Sequence, residues 1–240
     1  MSGLVLSLFP GIGLLDMAFE AEGFCVVRGP DLLWGGDIRR FHPPAGKFGG
    51  VIGGPPCQRF SPLAQAGRKG IQPLADNLIP EFERCVYEAI PGWFVMENVV
   101  AAPLPLVRGY HRDTLLLNNR WLGEEQNRLR RFTFGSLAQM RSPWLSVEFA
   151  TFEHSSVAPC VTANGTQWER GKGKNGGRSR SDRSVKALAN YVRWQGLPED
   201  FLVDAPLTVE GKVRVVGNGV PLPMGRAIAR AVKAALEATP

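Results

Sequence analysis

The stretch "GLVLSLFPGIGLLDMAFEAEGF", residues 3–24, decides the fold class of this chain. Its apolar run Gly3–Phe9 predicts a short buried strand, and a glycine turn then leads into a segment whose apolar residues have helical spacing. That helical repeat consists of Leu14, Leu15, Ala18 and Ala21. A strand, a glycine turn and a helix in this order are typical of α/β proteins.

The same alternation continues outward from this unit. Three further apolar runs predict strands, "FCVVRG", "GGVIGGPP" and "GWFVMENV", and "NRLRRFTFG" predicts one more. Helices are predicted in "LIPEFERCVYEAI" and in the closing segment "PLPMGRAIARAVKAALEA", which follows a turn at "GNG". Alternating strands and helices indicate right-handed crossovers, so we predict an α/β fold with a mixed, mostly parallel sheet.

The chain changes character between Ser136 and about Lys186, where periodicity is weak and turn formers are frequent. We predict a small irregular lobe in this region. The predicted lobe is residues 136–216, and the predicted main domain is residues 1–135 plus 217–240.

Length and composition exclude several classes of protein. With 240 residues, 44% of them hydrophobic, the chain can bury a substantial core. No signal peptide and no membrane-spanning apolar run is visible, so we expect a cytoplasmic protein without a membrane partner. The four cysteines form no CxxC pair, which predicts reduced thiols and no zinc site; they are Cys25, Cys57, Cys85 and Cys160.

The net charge of +6 is concentrated in one segment. Residues 170–186, "RGKGKNGGRSRSDRSVK", hold seven Lys or Arg and one acid, Asp182. A solvated loop explains such a run, and so does a flexible arm that contacts the phosphates of a nucleic acid. Charge alone does not decide between the two.

Three loops are predicted to meet at one edge of the sheet, because "FPGIG", "GGPPCQ" and "ENV" each follow a predicted strand. Gly11 and Gly13 allow a tight turn and the close approach of a ligand to the next helix, although a purely structural turn explains them equally well. Asp16 stands where a dinucleotide-binding fingerprint has its third glycine, which disfavours that class of ligand.

Cys57 and Glu97 are the candidate reactive groups in these loops. The diproline before Cys57 stiffens an exposed turn, and Arg59 could add the positive field that a thiolate needs. Glu97 follows an apolar strand, where partial burial would raise its pKa and let it donate a proton at neutral pH. The alternatives are a small buried hydrophobe for Cys57 and a solvated strand end for Glu97.

A row of polar groups is predicted in "QNRLRR". Gln126, Arg128 and Arg130 alternate, so on a strand they would point to the same side. Amide and guanidinium groups on one face of a sheet edge suit an oxygen-rich or phosphate-bearing substrate. An exposed edge face without a ligand is the alternative.

Together these motifs resemble those of the DNA (cytosine-5) methyltransferases. "FPGIG" is similar to the family motif FxGxG, which binds S-adenosylmethionine, "PPCQ" to the catalytic cysteine motif, and "ENV" to the glutamate motif. "QNRLR" resembles QxRxR, "RWQGLPEDF" an RxQGFP-type motif, and "GNGVPLPMGRAI" the closing GNxVP motif. The motifs lie between Phe9 and Ile228 in the unpermuted order. The resemblance implies a Rossmann-like methyltransferase fold with a small target-recognition lobe.

The resemblance also implies an activity, the transfer of a methyl group from S-adenosylmethionine to carbon 5 of cytosine in double-stranded DNA. Cys57 would add to carbon 6 of a flipped-out cytosine, Glu97 would protonate nitrogen 3, and Arg130 would contact the ring carbonyl oxygen. Arg128, also in the catalytic set, would support the loop. No metal is implied.

The remaining site residues implied by the resemblance fall into two sets. The cofactor set is Phe9, Gly11, Ile12, Gly13, Asp37, Ile38, Pro55, Asn218 and Val220. The DNA-binding set is Gln58, Ser61, Arg68, Arg170, Lys172, Lys174, Arg178 and Arg180.

This chain departs from the family pattern in places. Asp31 is the nearby acid for the cofactor ribose, but it is displaced by about one position, and the helix that usually follows is missing. Gly50 stands where the family commonly has Asp, and Pro10 where Ser or Ala is usual. The recognition region spans only about Ser136 to Val192, which predicts a short recognition sequence.

Other functions remain open at this point. A tRNA cytosine methyltransferase would use the same chemistry, a DNA-binding protein of this fold would have no turnover, and a dinucleotide oxidoreductase is disfavoured by Asp16. The compact chain suggests a monomer from a bacterial or phage setting, as a restriction partner or a solitary modifier. Trp144 and Trp168 are candidates for core packing or for filling the gap that a flipped base leaves.

Overall fold

The computed structural model describes residues 3–57, 60, 76–138, 145–151, 157–163, 165 and 184–238. Its six strands are β1 (Leu4–Leu8), β2 (Cys25–Arg28), β3 (Gly50–Gly53), β4 (Trp93–Asn98), β5 (Tyr110–Asn118) and β6 (Leu129–Leu137). Its α-helices are α1 (Leu14–Ala21), α2 (Ile79–Ala89), α3 (Val185–Trp194), α4 (Val209–Asn218) and α5 (Leu222–Glu237). Short 3₁₀ turns lie at Leu32–Trp34, Ile38–Arg40 and Asn119–Trp121.

The strands form one mixed sheet in the order β2-β1-β3-β4-β6-β5. The first four are parallel to one another, whereas β6 is antiparallel to both β4 and β5. This confirms the predicted α/β class with a mostly parallel sheet. The chain leaves β1 towards β2 on one side and returns to β3 on the other, so a crevice opens between the loops that follow β1 and β3.

Helices cover both faces of the sheet. On one face Phe19 of α1 and Ile228 of α5 pack against Val5 and Ile52. On the other, Phe82 of α2 packs against alternate residues of the same strands. Strands β3 and β4 are buried along their whole length, as the central strands of a covered sheet must be.

Gly50 is explained by its neighbour in the sheet. Gly50 pairs with Trp93, and a Cβ atom at position 50 would overlap the Trp93 indole. Gly135 makes the same kind of room for Phe94 on the other side of β4. The departure from the family's Asp at position 50 is therefore matched by a large aromatic ring on the adjacent strand.

Three elements were not predicted: β5, α3 and α4. In β5 most of the side chains are exposed or half-buried, and the strand carries His111, Arg112 and Asp113, so its apolar signal is weak. Helix α3 lies inside the predicted irregular lobe, and α4 begins inside it and extends two residues beyond its end. Their N-caps were visible signals, because the Ser184 and Thr208 hydroxyls each accept a hydrogen bond from the backbone three residues on.

The structure has the end of a helix where a turn was predicted at "GNG". Gly217 and Asn218 belong to the last turn of α4, and Gly219 ends that helix with φ −74°. The predicted domain boundaries, which fall after residues 135 and 216, lie inside β6 and α4. Leu14 of the main domain packs in one cluster with Val161, Tyr191 and Val213 of the predicted lobe. The division into two parts stays a prediction.

Among the described residues, no helix is long and apolar enough to cross a membrane. No group of three or more His, Cys, Asp or Glu side chains in the same parts of the chain could hold a metal ion.

Candidate active site

Strand β4 ends beside the loop that carries Cys57 and fixes it. The buried Asn98 side chain donates a hydrogen bond from Nδ2 to the Pro55 carbonyl at 3.1 Å. Gly54 lies so close to Glu97 that a Cβ atom there would be 3.2 Å from Glu97 Oε2. Asn98 therefore holds the diproline turn in place, a role that the sequence did not reveal although Asn98 is part of "ENV".

Glu97 forms a buried ion pair with Arg130 of the antiparallel strand β6. Arg130 Nε lies 2.9 Å from Glu97 Oε1, and the two side chains are only 13% and 10% exposed. The β4–β6 pairing brings the start of β6 to the end of β4, which joins two motifs that are 33 positions apart in the sequence. The alternative reading of Glu97 as a solvated strand end is therefore wrong.

The pKa of Glu97 is raised, because burial penalises its charged form more than Arg130 and Arg128 stabilise it. The pKa of Cys57 is raised as well, first by burial and then by the negative charge of Glu97, against the opposing effect of Arg130 and Arg128. Cys57 is half-buried and not on an exposed turn. Burial and Glu97 therefore favour the neutral thiol of Cys57, while Arg59, from which a thiolate-favouring field was expected, lies outside the described residues.

Alkylation of Cys57 tests this electrostatic setting. The rate with iodoacetamide should be low at pH 7 and rise with pH, because the raised pKa keeps the sulfur protonated. In Glu97→Gln the midpoint should move to lower pH, since a negative charge that opposes the thiolate is gone. Mass spectrometry of peptides separates Cys57 from the exposed Cys25, whose profile should stay unchanged. An unmoved or higher midpoint for Cys57 would contradict the setting.

The three polar residues of "QNRLR" do not form one binding row. Gln126 and Arg128 precede β6 and are fully buried, and β6 lies inside the sheet between β4 and β5. Gln126 Nε2 donates to the Trp194 carbonyl at 3.0 Å, and Arg128 donates to the carbonyls of three residues, Val161, Gly217 and Gly219. Only Arg130 reaches Glu97. The prediction of a polar row on an edge face is wrong because tertiary contacts bury two of its members.

The loop after β1 is held by the turn that replaces the missing helix. Gly11 donates its N–H to Asp31 Oδ2 at 2.9 Å, and the Trp34 indole donates to the Gly11 carbonyl at 2.7 Å. Asp31 Oδ1 accepts from the Leu33 N–H at 2.7 Å. Both carboxylate oxygens of Asp31 thus accept hydrogen bonds from the backbone of this chain. Trp34, with 64% of its surface exposed, was not predicted as a site residue. Its position three residues after Asp31 was the sequence signal that could have indicated it.

Asp16 has a structural partner at the start of α1. Its buried carboxylate lies 3.0 Å from Arg28 Nε and accepts a short hydrogen bond from the Ser7 hydroxyl. The Arg28 guanidinium lies over Gly13, where a Cβ atom would overlap it. Gly13 also has φ +83°. The backbone angle therefore favours glycine at position 13, and a side chain there would also displace the Arg28 guanidinium.

The other cofactor candidates lie on neighbouring segments. Phe9 ends β1 with φ +57°, an unusual angle for a side-chain-bearing residue and one often found at binding sites. Asp37 caps the turn Ile38–Arg40, and its pKa is lowered by hydrogen bonds from Arg39. Ile38 and Val220 are buried, and Asn218 ends α4.

Residues 35–102, which span β3, α2 and β4 and include Cys57 and Glu97, match the family described as C-5 cytosine-specific DNA methylase. The match covers less than half of the chain, so it shows that this segment is similar to that family.

Curated relatives agree with the family match. The Type II methyltransferase M.NgoPII of Neisseria gonorrhoeae is 30% identical over 147 residues, which are 53% of this chain and 38% of that protein. The Type II methyltransferase M.AquIA of a Picosynechococcus strain is 36% identical over 124 residues, 41% of this chain and 49% of that protein. The matched part thus spans less than half of either relative.

The likeness to solved structures covers nearly all of the chain. A crystal structure of a Spodoptera frugiperda DNMT2 mutant superposes with a TM-score of 0.68, covering 97% of this chain and 100% of the other, at 15% sequence identity. At this identity the likeness concerns the fold.

The predicted DNA-binding residues of this chain lie outside the described residues. They are Gln58, Ser61, Arg68, Arg170, Lys172, Lys174, Arg178 and Arg180. The same holds for Arg59, Trp144, Trp168 and Asp182.

Proposed function

We propose that this protein transfers a methyl group from S-adenosylmethionine to carbon 5 of cytosine in double-stranded DNA, through a covalent Cys57 adduct with a flipped-out base. The observation that carries the proposal is the buried Glu97–Arg130 ion pair beside Cys57. It combines a nucleophile, a proton donor with raised pKa and a cation in one pocket edge. Addition to an aromatic ring needs these three groups together.

Cys57 and carbon 6 of the ring form the first bond. The Cys57 thiol gives its proton to solvent water, its sulfur bonds to carbon 6, and the electrons of the carbon 5–carbon 6 double bond move towards carbon 5. Glu97 gives its proton to nitrogen 3, which neutralises the charge that the addition creates. Arg130, held by Glu97 through Nε, has further N–H groups that can bond the ring carbonyl oxygen.

S-adenosylmethionine supplies an electrophilic methyl group on a positively charged sulfur. Carbon 5 would take this methyl group, leaving S-adenosylhomocysteine, and would then lose its own proton to solvent water. The double bond would re-form, the Cys57 sulfur would leave, and nitrogen 3 would return its proton to Glu97. The sulfur is bonded to the ring only for the duration of the transfer.

The protonation states of Cys57 and Glu97 are linked. When Glu97 carries a proton, the negative charge that raises the pKa of Cys57 is absent, so a protonated Glu97 and a Cys57 thiolate favour each other. The raised pKa of Glu97 favours its protonated form, because burial penalises the carboxylate. The reactive state is therefore the one with the proton on the carboxyl and the charge on the sulfur.

The residues around the crevice fit S-adenosylmethionine. Gly11 and Gly13 have positive φ angles and leave a backbone free of side chains, while Phe9 and the exposed Trp34 offer aromatic faces to an adenine ring. The part-exposed Asp37 carboxylate can accept a hydrogen bond from an amino group. Ile12, Ile38, Pro55, Asn218 and Val220 complete the proposed cofactor set.

Double-stranded DNA is the proposed partner of a monomeric enzyme. The net charge of +6 and the basic segment 170–186 support electrostatic contact with phosphates. The short region from about Ser136 to Val192 supports a proposed recognition sequence of only a few base pairs. Bisulfite sequencing of a plasmid propagated with the protein reads that sequence, and a site of six or more base pairs would contradict a compact reader.

The deciding experiment incubates the protein with methyl-labelled S-adenosylmethionine and either duplex DNA or tRNA. Label in 5-methylcytosine of the duplex is expected. Label in tRNA alone would replace DNA by RNA as the substrate, and binding of DNA without any label would favour a protein of this fold without turnover.

A further inference from the structure

Three segments that are far apart in the sequence meet at the end of α4. The Gly219 carbonyl accepts hydrogen bonds from Arg128 Nη2 at 2.9 Å and from Gln195 Nε2 at 3.2 Å. Arg128 Nη2 also donates to the Gly217 carbonyl at 3.1 Å, and Gln195 Nε2 to the Val216 carbonyl at 2.5 Å. We call residues 216–220 the α4 end turn.

Both donors are completely buried. Arg128 is 1% exposed and Gln195 is 0% exposed. Burying such groups is costly unless they are hydrogen-bonded, and here both donate to backbone carbonyls. Arg128 Nη1 also donates to the Val161 carbonyl. The planar guanidinium thus joins the backbone at Val161 to the α4 end turn, which a lysine could not do with the same geometry.

The α4 end turn has little room to move. A Cβ atom at Gly217 would overlap the Thr162 carbonyl, and one at Gly219 would lie 2.7 Å from Leu14 Cδ1. Leu14 is the first residue of α1, directly after the loop Gly11–Gly13. The turn is therefore packed against the start of α1, at the proposed cofactor crevice.

We propose that Arg128 and Gln195 are positioning residues that set the affinity for the methyl donor by fixing Asn218 and Val220 against the start of α1. The inference rests on the proposed function. Arg128, which the sequence analysis placed in the catalytic set, would then support cofactor binding. Arg130, two residues on, pairs with Glu97. One short segment of chain then supports both halves of the site.

Gln195→Met tests the inference, because methionine has a similar volume but no donors. The α4 end turn would lose two hydrogen bonds, and the Kd for S-adenosylhomocysteine should rise about 5- to 30-fold. The KM for the methyl donor should rise in parallel, while kcat at saturating donor changes by less than about twofold, as expected for a uniform binding effect. Isothermal titration calorimetry and steady-state kinetics measure these quantities.

Tyr110→Phe is the matched control. The Tyr110 hydroxyl donates to the Pro91 carbonyl at 2.6 Å, at the edge of the sheet opposite the site. This variant also loses a donor to a backbone carbonyl, so its Tm should fall, but its Kd for S-adenosylhomocysteine should not change. If a general loss of stability weakened binding, the Kd would rise in both variants. If Gln195 positions the cofactor site, the Kd should rise in Gln195→Met alone.

The outcomes distinguish the inference from the proposed function. If the unaltered protein does not bind S-adenosylhomocysteine, the proposed function fails and the inference fails with it. If that protein binds and folded Gln195→Met binds equally well, the inference alone is wrong. Should Gln195→Met not fold, Gln195→Asn keeps the amide but is one methylene too short to reach both carbonyls, and an unchanged Kd for it would equally overturn the inference.

Discussion

Replacing Cys57 with serine should lower methyl transfer to duplex DNA by more than about 10⁴-fold, the scale on which removal of a covalent nucleophile acts. A serine hydroxyl stays protonated at neutral pH and is a far weaker nucleophile towards carbon 6. Binding of S-adenosylhomocysteine should remain, because Cys57 is not one of the residues proposed to bind the cofactor. Transfer of labelled methyl groups measures the loss.

Cys25→Ser is the control, since Cys25 is an exposed cysteine on β2. It should keep full activity. A duplex carrying 5-fluorocytosine should trap the unaltered protein as an adduct at Cys57, because fluorine cannot leave as the proton does. Full methylation by Cys57→Ser, or an active enzyme that forms no adduct, would exclude the covalent mechanism.

Glu97→Gln should reduce kcat by about 10²- to 10⁴-fold, the usual contribution of a positioned proton donor. Glutamine keeps the shape of the side chain and can still bond Arg130 through its carbonyl oxygen, but it has no acidic proton for nitrogen 3. The KM for the methyl donor should change little. Single-turnover methylation of duplex DNA over a range of pH measures the effect.

Glu88→Gln is the matched control for charge and size. Glu88 forms a partly exposed ion pair with Arg84 on α2, in which Arg84 Nη1 lies 2.9 Å from Glu88 Oε2. Ion pairs at the protein surface contribute less than about 1 kcal/mol to stability. Its kcat should remain unchanged. A Glu97→Gln enzyme within about threefold of the unaltered rate would show that the proton at nitrogen 3 comes from elsewhere.

The strands and helices of the main sheet were predictable because each combines a short apolar run with a clear boundary. The runs of β1, β3 and β4 end in glycines or polar residues, and the stripe of α2 repeats at helical spacing. Strand β5 was not predictable in this way. Its apolar residues pack on one side only, and it depends on β6 for its hydrogen bonds.

The pairing of Glu97 with Arg130 shows where sequence reasoning stops. Residue types and motif order indicated both as site residues, but Arg128 had the same claim as Arg130. The β4–β6 register brings Arg130 to the carboxylate, whereas Arg128 donates to the backbone carbonyls of Val161, Gly217 and Gly219. Spacing within a motif does not contain that information, because the partners come from distant parts of the chain.

Residue order alone was sufficient for the α/β class and for choosing Cys57 and Glu97 as candidates, because short-range periodicity and reactive side-chain types are local properties. The ionisation of Cys57, the internal use of Asp31 and the division of labour between Arg128 and Arg130 required the folded chain. These depend on burial and on charges within a few ångströms, and such neighbours are assembled by strand pairing and helix packing across the whole sequence.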